Sequence, residues 1–194
     1  MGNSEATEKI NEIKEAGGEG LSAKLKELED RVAKIEEKDG NLTLILMSGE
    51  FDKAMAAFII ANGALAMGKE VTIFVTFWGL DVIKKPAFST AGRKFLEKMV
   101  LWMRPKGPDK IPTSKMNFAG IGPKLFRYMM GKKNVEKLGS LIEMAQEFGL
   151  KIIACQMSMD VMGLRKEDMI DGIEVGGVAV MLNKSYKSNS TLFI

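Results

Sequence analysis

Apolar residues fall into short runs separated by polar turns, and the runs alternate between strand-like and helix-like patterns. Leu42-Thr43-Leu44-Ile45-Leu46-Met47 is a short apolar run of the kind that forms a strand buried on both faces. After the turn Ser48-Gly49-Glu50, an alanine-rich stretch near Phe51 to Met67 reads as a helix closed by Gly68. Val71 to Phe77 is rich in β-branched and aromatic residues and reads as the clearest strand in the chain. Strand, helix and strand with short connections make a βαβ unit, which predicts a parallel sheet. The same grammar returns as a helix near Val135 to Phe148 with Gly149 after it, a strand over Leu150 to Ala154 ending at Cys155, a helix after Met157 broken at Gly163, and a last strand at Thr191 to Ile194. Glu174 to Leu182 reads two ways, because Val175 to Val180 has β content and also an apolar face at helical spacing.

Two regions depart from this grammar. Residues 1–39 are charged and lack proline and aromatics; after Gly17-Gly18-Glu19-Gly20, the positions Leu21, Leu25, Leu28, Val32 and Ile35 form an a/d stripe that predicts a helix. The stripe suits equally a helix that pairs subunits and one that packs on its own domain. Residues 78–133 are punctuated by Pro105, Pro108, Pro112 and Pro123, and only Thr90 to Met103 reads as helical. This stretch is too apolar to stand as a solvated loop, so it is expected to be buried as a cover over a crevice or as a subunit contact. The division is therefore a helical N-terminal extension over residues 1–39 and an α/β domain over 40–194, with a basic, Met-rich insertion at about 84–133.

Composition narrows the chemistry. The chain has no histidine, which removes Ser-His-Asp and Cys-His relays and His-built metal sites within one subunit. One cysteine permits no internal disulfide, CxxC pair or Cys-built cluster. A Met-plus-Cys copper(I) site is compatible with ligand softness, but no recognisable spacing supports one, so neither metal nor cofactor is expected. The Gly176-Gly177 pair lacks GxGxxG or Walker spacing. The polar start and lone cysteine point to the cytoplasm, and the longest uncharged run, Ala54 to Gly68, is shorter than the roughly 20 residues of a spanning helix. Net charge is +3, but Lys84 to Lys137 carries 14 Lys or Arg against Glu97, Asp109 and Glu136. Such a segment is either a solvated lysine face or a surface for acidic partners or anionic lipid; a nucleic-acid partner is not expected.

Cys155 stands where an apolar strand gives way to the Met-rich Gln156-Met157-Ser158-Met159-Asp160. In an open parallel sheet that position opens on the ligand crevice, and the next helix directs its free N–H groups at the sulfur, favouring thiolate. A free cysteine is also a small buried hydrophobe, and both readings stand on the local pattern. Ser158 is placed to cap the helix or to bond the sulfur. Met157, Met159 and Met162, with Met129 and Met130, suit either a soft pocket for a sulfur-bearing ligand or adaptable core filling. Gly49 and Trp78, at the ends of neighbouring strands, are candidates to line the same crevice.

Ala154-Cys155-Gln156-Met157-Ser158-Met159-Asp160-Val161-Met162-Gly163 resembles the cysteine motif of the DsrE/DsrF/DsrH-like family, in the larger branch often labelled peroxiredoxin family protein. Ser48 to Ala54, Thr76 to Leu80 and Thr191 to Ile194 resemble the same family, so the match runs from about Asn41 to Ile194. The resemblance implies a doubly wound, mostly parallel, flavodoxin-like and DsrE-like α/β fold. It implies homo-oligomerisation and a sulfur-carrier or sulfurtransferase role, in which Cys155 takes up sulfane sulfur as a persulfide from a TusA-like or rhodanese-like donor and passes it on. The peroxiredoxin label lacks its own motif, Thr-x-x-Cys with a neighbouring Arg, because Ile152 precedes Cys155 by three. Arg104, Lys124 and Arg127 are the expected docking residues for an acidic donor. The competing reading is a noncatalytic scaffold or membrane-associated protein that uses the basic apolar segment alone.

Overall fold

A computed structural model describes residues 20, 22–31, 40–87, 91–105 and 107–194. The chain divides into two units, Met1–Asp39 and Gly40–Ile194. In the first, residues 22–31 are helical with Leu25 and Leu28 exposed, while Leu21, Val32 and Ile35 of the stripe lie outside the described residues.

The second unit is an α/β domain on a five-stranded sheet of order β4-β3-β2-β1-β5, with every neighbouring pair parallel. The strands are β1 (Leu42–Leu46), β2 (Val71–Val75), β3 (Lys151–Cys155), β4 (Glu174–Gly176) and β5 (Ser190–Phe193). The helices are α1 (Phe51–Ala66), α2 (Phe95–Met103), α3 (Ile121–Lys132), α4 (Leu138–Glu147), α5 (Gln156–Met162) and α6 (Val178–Tyr186). Burial follows position: β2, in the middle, is buried at every residue, and β5, at the edge, is exposed at every residue.

Helices cover the two faces unequally. Leu44, Leu46, Ile73, Val75, Ile152 and Ala154 form one face, packed against α1 and α4. The buried positions of α1, among them Phe51, Ala54, Met55, Phe58 and Ala61, recur at three and four, so one stripe meets the sheet. Asn62 ties this layer together by donating through Nδ2 to the Phe58 carbonyl at 2.8 Å and the Leu141 carbonyl at 2.9 Å. The opposite face holds Ile45, Phe74, Ile153 and Cys155, against which Met181 of α6 packs.

The ambiguous stretch 174–182 is both things in turn, β4 and then α6, with the change at Gly177. In place of the expected helix from Thr90, α2 starts at Phe95: Gly92 sits at φ 69°, and the Glu97 carboxylate accepts from the Lys94 N–H at 3.3 Å. Sequence reasoning missed α3, because Gly122 and Pro123 read as breakers. Pro123 lies in its first turn, where a missing N–H costs nothing.

The insertion is anchored by buried charge. Asp81 accepts from Lys84 Nζ at 2.8 Å and Arg104 Nε at 3.1 Å, all three being buried. Burial pushes the Lys84 ammonium below its ordinary value, and Asp81 partly restores it. Arg93 holds both carboxylate oxygens of Asp168, at 2.5 and 2.6 Å, and donates to the Gly163 carbonyl at 2.6 Å. Of the two readings of the rest of the insertion, the cover within one chain is not formed, which leaves the subunit contact: Phe95, Leu96, Trp102, Met103, Met116, Phe118, Ile121, Leu125, Tyr128 and Met129 are each more than half exposed in the chain.

Asp81→Ala removes the carboxylate shared by two buried cations, and we expect it to cost about 3–5 kcal/mol, the usual loss when a buried ion pair is broken. Urea unfolding followed by circular dichroism measures this; a loss under about 1 kcal/mol would mean that the cluster is solvated.

Candidate thiol site

The parallel register between β2 and β3 sets the site. Val75 pairs with Ala154, so the next residues along, Thr76 and Cys155, stand side by side where the two strands end. Cys155 is 5% exposed and serves as the N-cap of α5, with φ −69° and ψ 113°. The hydroxyls of Ser158 and Thr76 and the N–H groups of Ser158 and Met157 are the polar groups that favour charge on its sulfur. Those hydroxyls also bond each other at 2.8 Å. Burial raises the thiol pKa, but the polar groups of Ser158, Thr76 and Met157 outweigh it and hold the value below that of an ordinary thiol. A thiolate so held is the nucleophilic form of cysteine.

Ser158 is fully buried inside the helix, three residues after the cap, and its hydroxyl is committed to that of Thr76. Thr76 is the residue that sequence reasoning missed. The signal was its place one past the end of β2, which a parallel register puts beside one past Ala154. Phe77 follows with φ 45°, a region that costs a bulky residue about 1–3 kcal/mol and that recurs at functional sites.

The methionines do not gather around the sulfur. Met159 and Met162 are buried in the core on the α1 side, Met130 packs at its edge, and Met129 lines a separate groove with Met116 and Phe126. Of the methionines expected there, only Met157, two residues past the cysteine and largely exposed, stays next to it, while Met181 of α6 packs on the cluster that holds Cys155. Gly49 and Trp78 do share a cavity of about 450 Å³, whose other walls include Ser48, Lys53, Asp81, Met103 and Arg104. Their approach is close: a Cβ on Gly49 would lie 2.5 Å from the Trp78 carbonyl oxygen. Cys155 is not among the residues lining this cavity.

Arg104, Lys124 and Arg127 border one open groove of about 600 Å³ together with Lys110 and Asp109. They differ in freedom. Lys124 is exposed, whereas Arg127 donates to the Ile111 carbonyl at 2.8 Å and lies over the Phe51 ring at 4.6 Å. Arg104 is buried against Asp81 and 5.6 Å from the Trp78 ring, which takes it out of the exposed docking set. Among the described residues no group of three or more Cys, Asp or Glu side chains is arranged to hold a metal ion.

Fold and site together define a parallel α/β protein with one buried thiol at the carboxyl edge of its sheet, next to the hydroxyls of Thr76 and Ser158. Residues 38–193 match the DsrE/DsrF/DrsH-like family, and the chain belongs to it. It is 49% identical over 158 residues to the uncharacterized protein YrkE of Bacillus subtilis, covering 81% of this chain and 99% of that one. To the sulfur carrier protein DsrE2 of Allochromatium vinosum it is 32% identical over 161 residues, covering 79% and 97%. The crystal structure of the ychN protein from E. coli aligns with a TM-score of 0.45 at 10% identity, over 79% of this chain and 98% of that one.

Thiolate absorbance in the ultraviolet, followed against pH, is expected to titrate below the ordinary thiol range near 8.5. Ser158→Ala and Thr76→Val each remove a donor to the sulfur and should raise the midpoint. The linked stability runs the same way: the folded thiol is the stronger acid, so its contribution is complete above the unfolded value near 8.5 and is lost as pH falls through the folded value. Unchanged midpoints in both variants would show that the hydroxyls do not act on the thiol.

Proposed function

We propose that the protein is a sulfur carrier of the sulfurtransferase type, with Cys155 as its acceptor. The single observation that carries this reading is the placement of the one thiol, buried at the carboxyl edge of the parallel sheet beside the paired hydroxyls of Thr76 and Ser158. The Cys155 thiolate attacks the outer sulfur of a donor persulfide. A new S–S bond forms to Sγ, the donor S–S bond breaks, and its electron pair leaves with the donor as thiolate. The outer sulfur keeps its proton, so Cys155 ends as a persulfide and no external oxidant or reductant is consumed. Release to an acceptor thiolate is the same exchange run onward. The donors would hold the outer sulfur as TusA-like or rhodanese-like proteins do, and the family relationship to a protein named as a sulfur carrier supports this direction.

Docking of an acidic donor falls to the groove bordered by Lys110, Lys124 and Arg127, with Arg104 as its buried wall. Gly49 and Trp78 would shape the neighbouring cavity for the donor's terminal segment, and Met157 would shield the transferred sulfur. Assembly with further copies of the chain would use the edge strand β5, where Leu192 and Phe193 are exposed. The setting proposed for all of this is the cytoplasm, and no helix of the described residues is long and apolar enough to cross a membrane. A purely noncatalytic scaffold would give no role to the donors around Cys155.

After incubation with a small persulfide donor, intact mass is expected to rise by one sulfur atom, and peptide mapping should place it on Cys155. Cys155→Ser should fold and gain nothing; label retained in that variant would sink the assignment.

Lys124→Glu with Arg127→Glu should slow loading from a protein donor by raising the electrostatic cost of encounter, an effect that fades as salt shortens the screening length to about 8 Å or less. Loading from a small neutral persulfide should stay within about twofold, because rim charge acts on association and not on the thiol. Equal losses with both donors would mean that these residues support the fold.

A further inference from the structure

Among the described residues the insertion turns its apolar side chains outward. On α2 only Leu101 is buried, and Glu97 reaches back to the Lys94 N–H. Phe95, Met99 and Trp102 follow at spacings of four and three, with Leu96 and Met103 beside them, and all are exposed. On α3, Pro123 is buried and Met130 packs on the core, while Ile121, Leu125, Tyr128 and Met129 face out. Both helices border one groove, α2 through Met103 and α3 through Pro123 and Lys124. Cations accompany this apolar surface. From Lys94 to Lys133 the sequence has ten Lys or Arg against Glu97 and Asp109. Lys94, Lys98, Lys124, Lys132 and Lys133 are exposed, and Lys132 lies 5.0 Å from the Tyr128 ring.

We propose that the outward faces of α2 and α3 form a docking surface for a membrane that carries anionic lipid headgroups. Trp and Tyr with Phe, Leu and Met on one face and lysines around it match the two layers of such an interface: rings and thioethers enter the headgroup and acyl boundary, and the ammonium groups stay among the phosphates. A second copy meeting the same surface about a twofold axis would bring the cationic rim against itself, so the charge selects an acidic partner over another copy. An acidic protein would satisfy the lysines but gives no reason for Phe95, Leu96, Trp102 and Met103 to be so widely exposed at once. The contact is peripheral, since α2 has nine residues and α3 twelve, both far short of a span. It does not depend on the chemistry of Cys155.

The chain has two tryptophans, so Trp78→Phe leaves Trp102 as the sole reporter. With the full-length Trp78→Phe protein and vesicles of phosphatidylcholine with phosphatidylglycerol, Trp102 emission is expected to move to the blue and to be quenched by brominated acyl chains. Vesicles of phosphatidylcholine alone should give little of either. Each exposed lysine turned neutral, as in Lys98→Gln, Lys124→Gln and Lys132→Gln, should lower partitioning by about fivefold at low salt. Phe95→Ser with Leu96→Ser, which touches no buried position, should abolish it with the circular dichroism unchanged. Cys155→Ser should bind vesicles as the parent does, which keeps this test separate from that of sulfur loading. No shift on anionic vesicles, or equal binding to neutral ones, would overturn the proposal. So would Trp102 that is already shielded from aqueous quenchers without lipid, which would mean that another copy covers it, or that is shielded by an acidic protein and not by vesicles.

Discussion

The parallel sheet ends all its strands at one edge, and everything at the site depends on that constraint. Because β2 and β3 run in register, the residues just past them share an edge and a face, and Thr76 is delivered to Cys155 from a position 79 residues earlier in the chain. The hydroxyl bond between Thr76 and Ser158 then ties the end of β2 to the first turn of α5. An antiparallel pairing of either strand would send one of these groups to the opposite end of the domain. The neighbouring ends of β1 and β2 are held as tightly. The Gly79 N–H donates to the Met47 carbonyl at 2.8 Å, and a Cβ at Gly79 would run into the Leu46 carbonyl oxygen.

Burial and polarity pull in opposite directions at the thiol. A cysteine among Phe74, Ile153 and Met181 is in an apolar setting that favours the neutral form. Donors supplied by a helix of seven residues reverse that preference. A short helix has a small macrodipole, so the local N–H and O–H groups do the stabilising, and they act only within hydrogen-bond reach. Placement of Ser158 and Thr76 therefore matters more than helix length. The same local character explains why Met159 and Met162, one helical turn or more along, belong to the core and not to the sulfur.

Legibility in the sequence followed how local each cause is. The strands β1, β2 and β3 and the helices α1 and α4 announce themselves by runs and spacings inside ten or twenty residues, and Cys155 by its place at a junction. What escaped depends on pairs far apart: Thr76 with Ser158, Asp81 with Arg104, Arg93 with Asp168. A clue to the second existed, since Asp81 interrupts the otherwise apolar Leu80 to Ile83 and is followed by Lys84. Exposure of α2 and α3 could not be read from pattern either, because an apolar stripe has the same spacing whether it faces inward or outward. The basic residues were visible in sequence, but burial, which separates Arg104 from Lys124, is set by the fold.

The buried charges explain how an outward-facing apolar segment coexists with an ordered thiol. Asp81 with Lys84 and Arg104 fixes the chain where it leaves β2 and again where α2 ends, and Arg93 grips Asp168 and the Gly163 carbonyl at the far end of α5. Gly163, at φ 65°, closes α5 in the left-handed form and leaves room for the Glu97 side chain of α2. These contacts select one geometry more than they add net stability, since desolvating the charges offsets most of their attraction. Apolar anchors of similar size would slide more freely and would compete with the exposed apolar faces of α2 and α3 for the same core. Ionic anchors cannot be exchanged in that way, because Phe95 or Trp102 turned inward would leave buried charges without their partners. The insertion can therefore be pinned at its base and remain apolar at its outer face.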